Sequence, residues 1–319
     1  MQTINDAIAD FTRHCKFEKN LSDKTIKAYQ TDLSQFSLFL TTNNLIKVTR
    51  SLSKFELRQY LESLASLKPK SIKRKMATVK ALFNYLEFDE QIDVNPVRKM
   101  RINIKEPKAI PKVMELKEIE KILKAAYQHR KSIKEQDTYS YLEALRNIVV
   151  IELLFSTGGR VSEIANLKEN DINFRTGEII INGKGSKQRI IQVCNEELLT
   201  LLRQYKKLWA NRILLAENNF LVNRFNKKMS DQSIRLLVRK LYKKAGITRH
   251  ITPHIFRHSF ATLLLEKDVD IRYIQAMLGH SSIAITQIYT HVNKVKQRQL
   301  LRTKHPRRDL FFKEFEAAE

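Results

Sequence analysis

The chain has 319 residues with 58 Lys plus Arg against 34 Asp plus Glu, a formal charge of +24, so its partner is expected to be a polyanion. With 43 % hydrophobic and 29 % charged residues it has the composition of a folded protein rather than a disordered one, and its length suits two domains better than one core. No apolar run of about 18 residues and no signal-peptide pattern occurs, which argues against a membrane span and for the cytoplasm; with only Cys15 and Cys194, neither a disulfide framework nor a Cys-based metal site can be built.

All seven glycines lie at or beyond Gly158, so the first half is expected to run helix after helix. Apolar residues at Ile4, Ala7, Ile8 and Phe11 recur at three- and four-residue steps, the spacing of a helix that buries one face. A second run, Ile26, Tyr29, Leu33, Phe36 and Leu40, follows Ser22, an N-cap residue type. Ser53 and Glu56 have capping-box spacing at the start of a third helix through Tyr60, Leu61 and Leu64. The fourth, Ile72, Met76, Val79, Phe83 and Leu86, carries Lys70, Lys73, Arg74, Lys75 and Lys80 on or beside its other faces, an apolar back with a cationic front.

The periodicity stops between Val94 and Val113, where Pro96, Pro107 and Pro111 fall among Lys and Arg. Residues 103–112 read as a linker between a helical domain at 1–102 and a second domain at 113–319. Both are basic, with 18 Lys or Arg to 11 acidic residues through Arg101 and 40 to 23 beyond it, as the halves of a clamp on one polyanion would be. In the second domain, helical spacing over 116–126 and 145–155 ends at Gly158-Gly159, a C-cap signal, and resumes over 161–167. Ile179 to Ile181 and Arg189 to Val193 read as strands, with Gly183-Lys184-Gly185-Ser186 turning between them, which puts a lysine at a hairpin tip. Helices are expected over 196–209, 231–245, 253–266, 271–278 and 283–291, one of them started by Thr252 and Pro253. The stretch 201–250 is the most basic, with 13 Lys or Arg to 2 acidic residues, and its helix presents Arg235, Arg239, Lys240, Lys243 and Lys244 for phosphate contacts. The fold class expected is mainly α with a small antiparallel β-sheet in the C-terminal domain.

Several basic residues fall at element ends, where a side chain can enter a cleft. Arg160 follows two glycines, Lys184 sits at the hairpin tip, and His254 and Arg257 share one face in the first turns of a helix. His280 lies in the turn LGHSS and Tyr289 in QIYTH. Singly, each Arg, Lys or His is better explained as a solvated surface group, and the tyrosine equally well as a half-buried core residue.

Together and in this order the segments resemble the tyrosine recombinase (phage integrase) family, most closely its Xer-type and transposon-borne members. The similarity rests on TGGRVSE with Arg160, Ser162 and Glu163, NGKGSKQR with Lys184, HIFRHSFAT with His254 and Arg257, and LGHSSIAITQIYTHV with His280 and Tyr289. Two departures are visible. Gly159 stands where Leu is usual, which predicts a looser turn under Arg160, and Lys267-Asp268 stands where a Gly commonly follows the helix. The resemblance implies a helical, SAM-like core-binding domain followed by an α+β catalytic domain, and an enzyme that cuts and rejoins DNA through a 3′-phosphotyrosine and a Holliday junction.

Attack by Tyr289 on a phosphodiester would pass through a five-coordinate phosphorus whose non-bridging oxygens carry about two negative charges, which Arg160 and Arg257 can meet with fixed, permanently charged forks. In the roles the resemblance implies, His254 takes the tyrosine proton, Lys184 protonates the leaving 5′-oxygen and His280 hydrogen-bonds the phosphate, while Glu163, one helical turn after Arg160, would hold the arginine or a histidine in place. No metal, ATP or other cofactor is expected. His258 and His291 read as structural, turned from their catalytic neighbours by helical spacing. The basic stretch from Lys294 to Arg308 and the apolar residues Leu310, Phe311, Phe312 and Phe315 behind it fit two readings, a helix packed on its own domain or a solvated connector whose apolar end docks into a neighbouring protomer; on the second, the tail, about 292–319, would link a homotetramer on two DNA sites, with a monomer or dimer on a single site. The partner implied is double-stranded DNA with an inverted-repeat core site in the bacterial nucleoid, with no membrane. Two alternatives remain: a type IB topoisomerase-like enzyme, and a DNA-binding protein without catalysis.

Overall fold

The computed structural model of the chain describes residues 3–45, 49–105, 112–135, 138–183, 188–279 and 294–310. It divides into two compact units, Met1–Ala109 and Ile110–Glu319.

The first unit is built on four helices: α1 (Ile4–Phe17), α2 (Asp23–Thr42), α3 (Lys54–Ser63) and α4 (Pro69–Phe88). Local chemistry sets their starts. Thr3 and Asp6 form a capping box on α1, Ser22 Oγ accepts the Thr25 N–H at α2, and the box of Ser53 and Glu56 opens α3. The apolar stripes meet in a core that includes Phe11, Leu33, Phe36, Leu40, Tyr60, Val79 and Phe83.

The cationic face of α4 differs from expectation at one position. Lys70, Lys73, Arg74 and Lys80 are exposed, but Lys75 is buried, its Nζ 3.2 Å from Asp32 Oδ1 and donating also to Gln35. Asp32, itself buried, also accepts from Arg74 and from the Thr78 hydroxyl. A carboxylate placed inside a helix bundle must be paired, and Lys75 supplies the charge from within, so it is withdrawn from any phosphate contact.

The second unit is organised around α6 (Tyr139–Thr157), which is buried on every side from Ala144 to Thr157. Packed against it are α5 (Leu116–Lys131), α7 (Val161–Ala165), α8 (Glu196–Leu215), α9 (Asp231–Lys244) and α10 (Pro253–Glu266). Strands β1 (Glu178–Asn182) and β2 (Gln188–Gln192) form an antiparallel hairpin in the register Ile181 opposite Arg189, with Ile179, Ile181 and Ile191 turned into the core. α11 (Ile271–Leu278) packs on both α10 and β2. The expected helix over 283–291 lies outside the described residues.

Two elements depart from the apolar pattern. α6 begins six residues before its apolar run, because Thr138 caps it through the Tyr141 N–H while the ring of Tyr139 lies under the Arg212 guanidinium. The basic stretch, open between a connector and a helix packed on its own domain, contains a helix, α12 (Lys294–Lys304), whose Leu301 enters this unit's core. A turn at Pro306–Asp309 follows, where buried Arg307 sets Nε on both oxygens of buried Glu152 at 3.2 and 3.0 Å and Nη2 3.1 Å from Glu197. Leu310, expected to leave with the tail, is only 4 % exposed in this unit's own core, and its carbonyl accepts from Arg307 Nη1. Any segment given to a neighbour therefore starts after it, with Phe311, Phe312 and Phe315 outside the described residues.

Candidate active site

Two helix C-termini converge in the second unit, and one arginine satisfies both. α6 ends at Gly158, in the left-handed region at φ 58°, and α11 ends at Leu278. The last carbonyls of a helix lack intrahelical donors and carry its partial negative charge. Arg257, rising from α10, answers them with Nη1 at 2.9 Å from the Gly158 carbonyl and Nη2 at 2.6 Å from the Leu278 carbonyl. Its side chain is 6 % exposed. Burial, and then the charge of Arg160, draw its pKa down to about 10, so it remains protonated at neutral pH.

Glu163 is the second organiser. Arg160 is the N-cap residue of α7; its backbone N–H donates to Glu163 Oε2 at 2.8 Å and its Nη1 to Oε1 at 2.7 Å. The turn beneath is firm. The Gly159 N–H bonds the Thr157 hydroxyl at 3.1 Å, and a Cβ at Gly159 would fall 2.7 Å from Ile164 Cδ1. Gly159 is thus fitted to close packing, in a turn held by that hydrogen bond. Glu163 also receives Arg189 of β2, Nη1 on Oε1 at 3.2 Å and Nη2 on Oε2 at 2.7 Å, and lies 4.0 Å from Arg257 Nη1. Burial alone would raise the Glu163 pKa, but the bonds from Arg189 and Arg160 outweigh it and hold the carboxyl below its usual range.

Three guanidiniums around one carboxylate leave this cluster at a net +2. Arg160 is the member that reaches solvent, with 38 % of its side chain exposed. His254 stands on the exposed side of the first turn of α10. Its pKa is lowered by burial and by the charges of His258, Arg235, Arg257 and Arg160, so it is a neutral imidazole at pH 7, able to take a proton. His258, four residues on and so on the same face of α10, adds to the positive field at His254.

Among the residues expected at the site, the structure brings together Arg160, Glu163, His254 and Arg257, across 97 residues of sequence. Lys184, His280, Tyr289 and His291 lie outside the described residues. Of the basic residues on α9, Arg235 approaches His254 and pairs with Asp231 at 3.7 Å, whereas Arg239, Lys240, Lys243 and Lys244 are exposed. Sequence reasoning missed Arg189. Its one signal was a cation in the middle of an otherwise isoleucine-rich hairpin, directly opposite Ile181.

This arrangement of paired arginines can grip a phosphate, and comparison with known proteins gives it a family. The pattern of the phage integrase family matches residues 112–296, and that of the phage integrase N-terminal SAM-like domain matches residues 8–89. The chain belongs to the phage integrase family. It is 45 % identical over 313 residues to a protein of Agathobacter rectalis named tyrosine recombinase, covering 98 % of this chain and 100 % of that one. Tyrosine recombinase XerD of Listeria innocua is 34 % identical, covering 95 % of this chain and 100 % of its own length. A solved structure of XerH site-specific recombinase, bound to palindromic difH substrate as a post-cleavage complex, is similar at a TM-score of 0.68 with 23 % identity, covering 92 % of this chain and 83 % of that one. A lambda integrase tetramer bound to a Holliday junction is similar at 0.64 with 17 % identity, covering 90 % and 77 %; these two likenesses establish the fold. With its family the chain is a tyrosine recombinase, a DNA-binding enzyme that breaks and rejoins DNA at specific sites. Among its described residues no helix is long and apolar enough to cross a membrane.

Proposed function

We propose that Tyr289 is the nucleophile of this recombinase and that Arg160 and Arg257 bind the phosphate it attacks. The phenolic oxygen bonds to phosphorus and the bond from phosphorus to the 5′-oxygen breaks. The tyrosine proton passes to neutral His254, and the departing 5′-oxygen takes a proton from Lys184 while His280 hydrogen-bonds the phosphate. The product is a 3′-phosphotyrosine whose ester energy is retained, so a second strand's 5′-hydroxyl reverses the step without metal or nucleotide. What carries this reading is the pair of arginines held beside a depressed-pKa histidine in a cluster of net +2, matched to the charge of the five-coordinate phosphorus.

On this reading residues 1–102 form a core-binding half and residues 113–319 the catalytic half of a clamp on double-stranded DNA with inverted repeats, with Lys70, Lys73, Arg74, Lys80 and the α9 cations on its phosphates. The working assembly is a homotetramer on two sites joined by tails that begin at Phe311. The shared fold with an integrase solved as a tetramer, and the clamping of the chain as far as Leu310, support it.

The test uses a duplex selected from a random-sequence pool by binding to the wild-type chain, then nicked so that a cleaved strand cannot rejoin. In EDTA and without nucleotide, the wild type is expected to form an SDS-resistant adduct that Tyr289→Phe does not. No wild-type adduct, or an adduct with the Phe variant, refutes the assignment.

A further inference from the structure

Arg189 has no part in the reaction as set out above, yet it makes more contacts to the site's framework than either phosphate-binding arginine. Its Nη1 and Nη2 fork onto both oxygens of Glu163, and its Nε donates to the Met277 carbonyl at 2.6 Å, one residue before the carbonyl that holds Arg257. The side chain is 11 % exposed. We infer that Arg189 is a positioning residue of the recombination reaction, acting through Glu163 to keep Arg160 and Arg257 apart from one another's partners and aimed at the phosphate.

The argument is one of acceptor capacity. A carboxylate offers about four lone-pair sites. Glu163 receives four donors: the backbone and Nη1 of Arg160, and Nη1 and Nη2 of Arg189. It is therefore saturated, and Arg257, 4.0 Å away, stays on the carbonyls of Gly158 and Leu278. Without Arg189, two acceptor sites on a buried carboxylate would open, with the Arg257 guanidinium, 4.0 Å away, the cation beside it that is not already hydrogen-bonded to it. Arg257 would turn toward Glu163, and its charge would be spent on the carboxylate instead of the phosphate. The same guanidinium also ties together three segments. Arg189 lies on β2 five residues beyond Lys184, Glu163 lies on α7 three residues beyond Arg160, and Met277 lies on α11 three residues before His280. One side chain thus fixes the carriers of the proton donor, the first arginine and the phosphate-binding histidine together.

The proposal rests on the reaction set out above, and its test separates the two. On the nicked duplex just described, Arg189→Gln is expected to bind with an affinity within about threefold of wild type while forming the adduct about 100-fold more slowly, the loss typical of misplacing a reacting group. Arg189→Lys, which keeps one charged donor for Glu163 but cannot also reach Met277, is expected to recover about tenfold of that rate. Since Arg189 acts through Glu163, the double variant Arg189→Gln with Glu163→Gln is expected to be no slower than the slower single variant by more than about threefold. Losses that multiply, an Arg189→Gln rate within threefold of wild type, or a loss confined to DNA affinity would overturn the inference. A wild type that forms no adduct would instead refute the reaction.

Discussion

Replacing Gly158 by Ala perturbs the backbone that holds Arg257 and leaves every charged group in place. Gly158 sits at φ 58°, and a Cβ there would lie 2.7 Å from Phe260 Cδ1 and 2.9 Å from Leu278 Cδ2. Two contributions follow. A left-handed non-glycine residue costs about 1–2 kcal/mol. Forcing a methyl against Phe260 and Leu278, which are 0 % and 2 % exposed and have nowhere to go, adds about 1–3 kcal/mol of overpacking. The total expected is about 2–5 kcal/mol. Gly246 provides the control, since it too has a positive φ, 72°, but nothing within 4 Å of a Cβ. Gly246→Ala should cost the backbone contribution alone. Trp209, the single tryptophan of the chain and fully buried in the second unit, reports that unit's unfolding by fluorescence in urea. A Gly158→Ala midpoint shifted no further than that of Gly246→Ala would refute the packing argument. Because the Gly158 carbonyl holds Arg257 Nη1, the same variant is expected to slow adduct formation, which Gly246→Ala leaves unchanged.

Removing the charge of Arg307 by Arg307→Met strands Glu152, 0 % exposed, with the Tyr127 hydroxyl at 3.0 Å; the expected loss is about 3–5 kcal/mol in Trp209-monitored unfolding, and Glu152→Gln with Arg307→Met should recover part of it. His305, whose pKa is held down to about 4 by burial, binds fewer protons folded than unfolded between pH 4 and 6.5, so stability rises with pH across that window and is lost on acidification. The slope contributed is at most about 1.4 kcal/mol per pH unit, and comparison of wild type with His305→Gln by urea midpoints from pH 4 to 7 should find the variant's dependence flatter.

What the sequence made legible was what neighbouring residues decide among themselves. Ser22, Ser53 with Glu56, and Thr252 with Pro253 start their helices where a local reading puts them, because a cap is a contract between residues two or three apart. The candidate site residues Arg160, His254 and Arg257, which the fold brings together, were legible for a different reason, since their motifs are long and ordered. Illegible were the charges whose partners are far along the chain. Lys75 reads as one more surface lysine until Asp32, 43 positions away, is packed beside it; Arg189 needs Glu163 at 26 positions and Arg307 needs Glu152 at 155. The sequence left α12 undecided for a similar reason, since Leu300 and Leu301 stand among lysines and arginines, which suits a connector as well as a packed helix, and only the tertiary fold buries Leu301.

The two arginines proposed to meet the phosphate are held by different means, and the difference has a chemical consequence. Arg160 shares a carboxylate, so part of its field is cancelled 2.7 Å away. Arg257 is held by two carbonyls, neutral dipoles at the ends of α6 and α11, which fix its direction yet leave its unit charge intact. The cost is desolvation of a cation whose nearest carboxylate, Glu163, stands back at 4.0 Å, and with the charge of Arg160 that burial brings its pKa down to about 10. A lysine could not take its place, because a point ammonium cannot span carbonyls from two separate helices while still presenting donors to a phosphate. Arg189 makes this economy possible by filling the remaining half of Glu163. Of the +24 that the chain carries, most can serve only to hold a polyanion; on the proposed reaction, the net +2 gathered around one saturated carboxylate meets the second negative charge that appears as the phosphorus becomes five-coordinate.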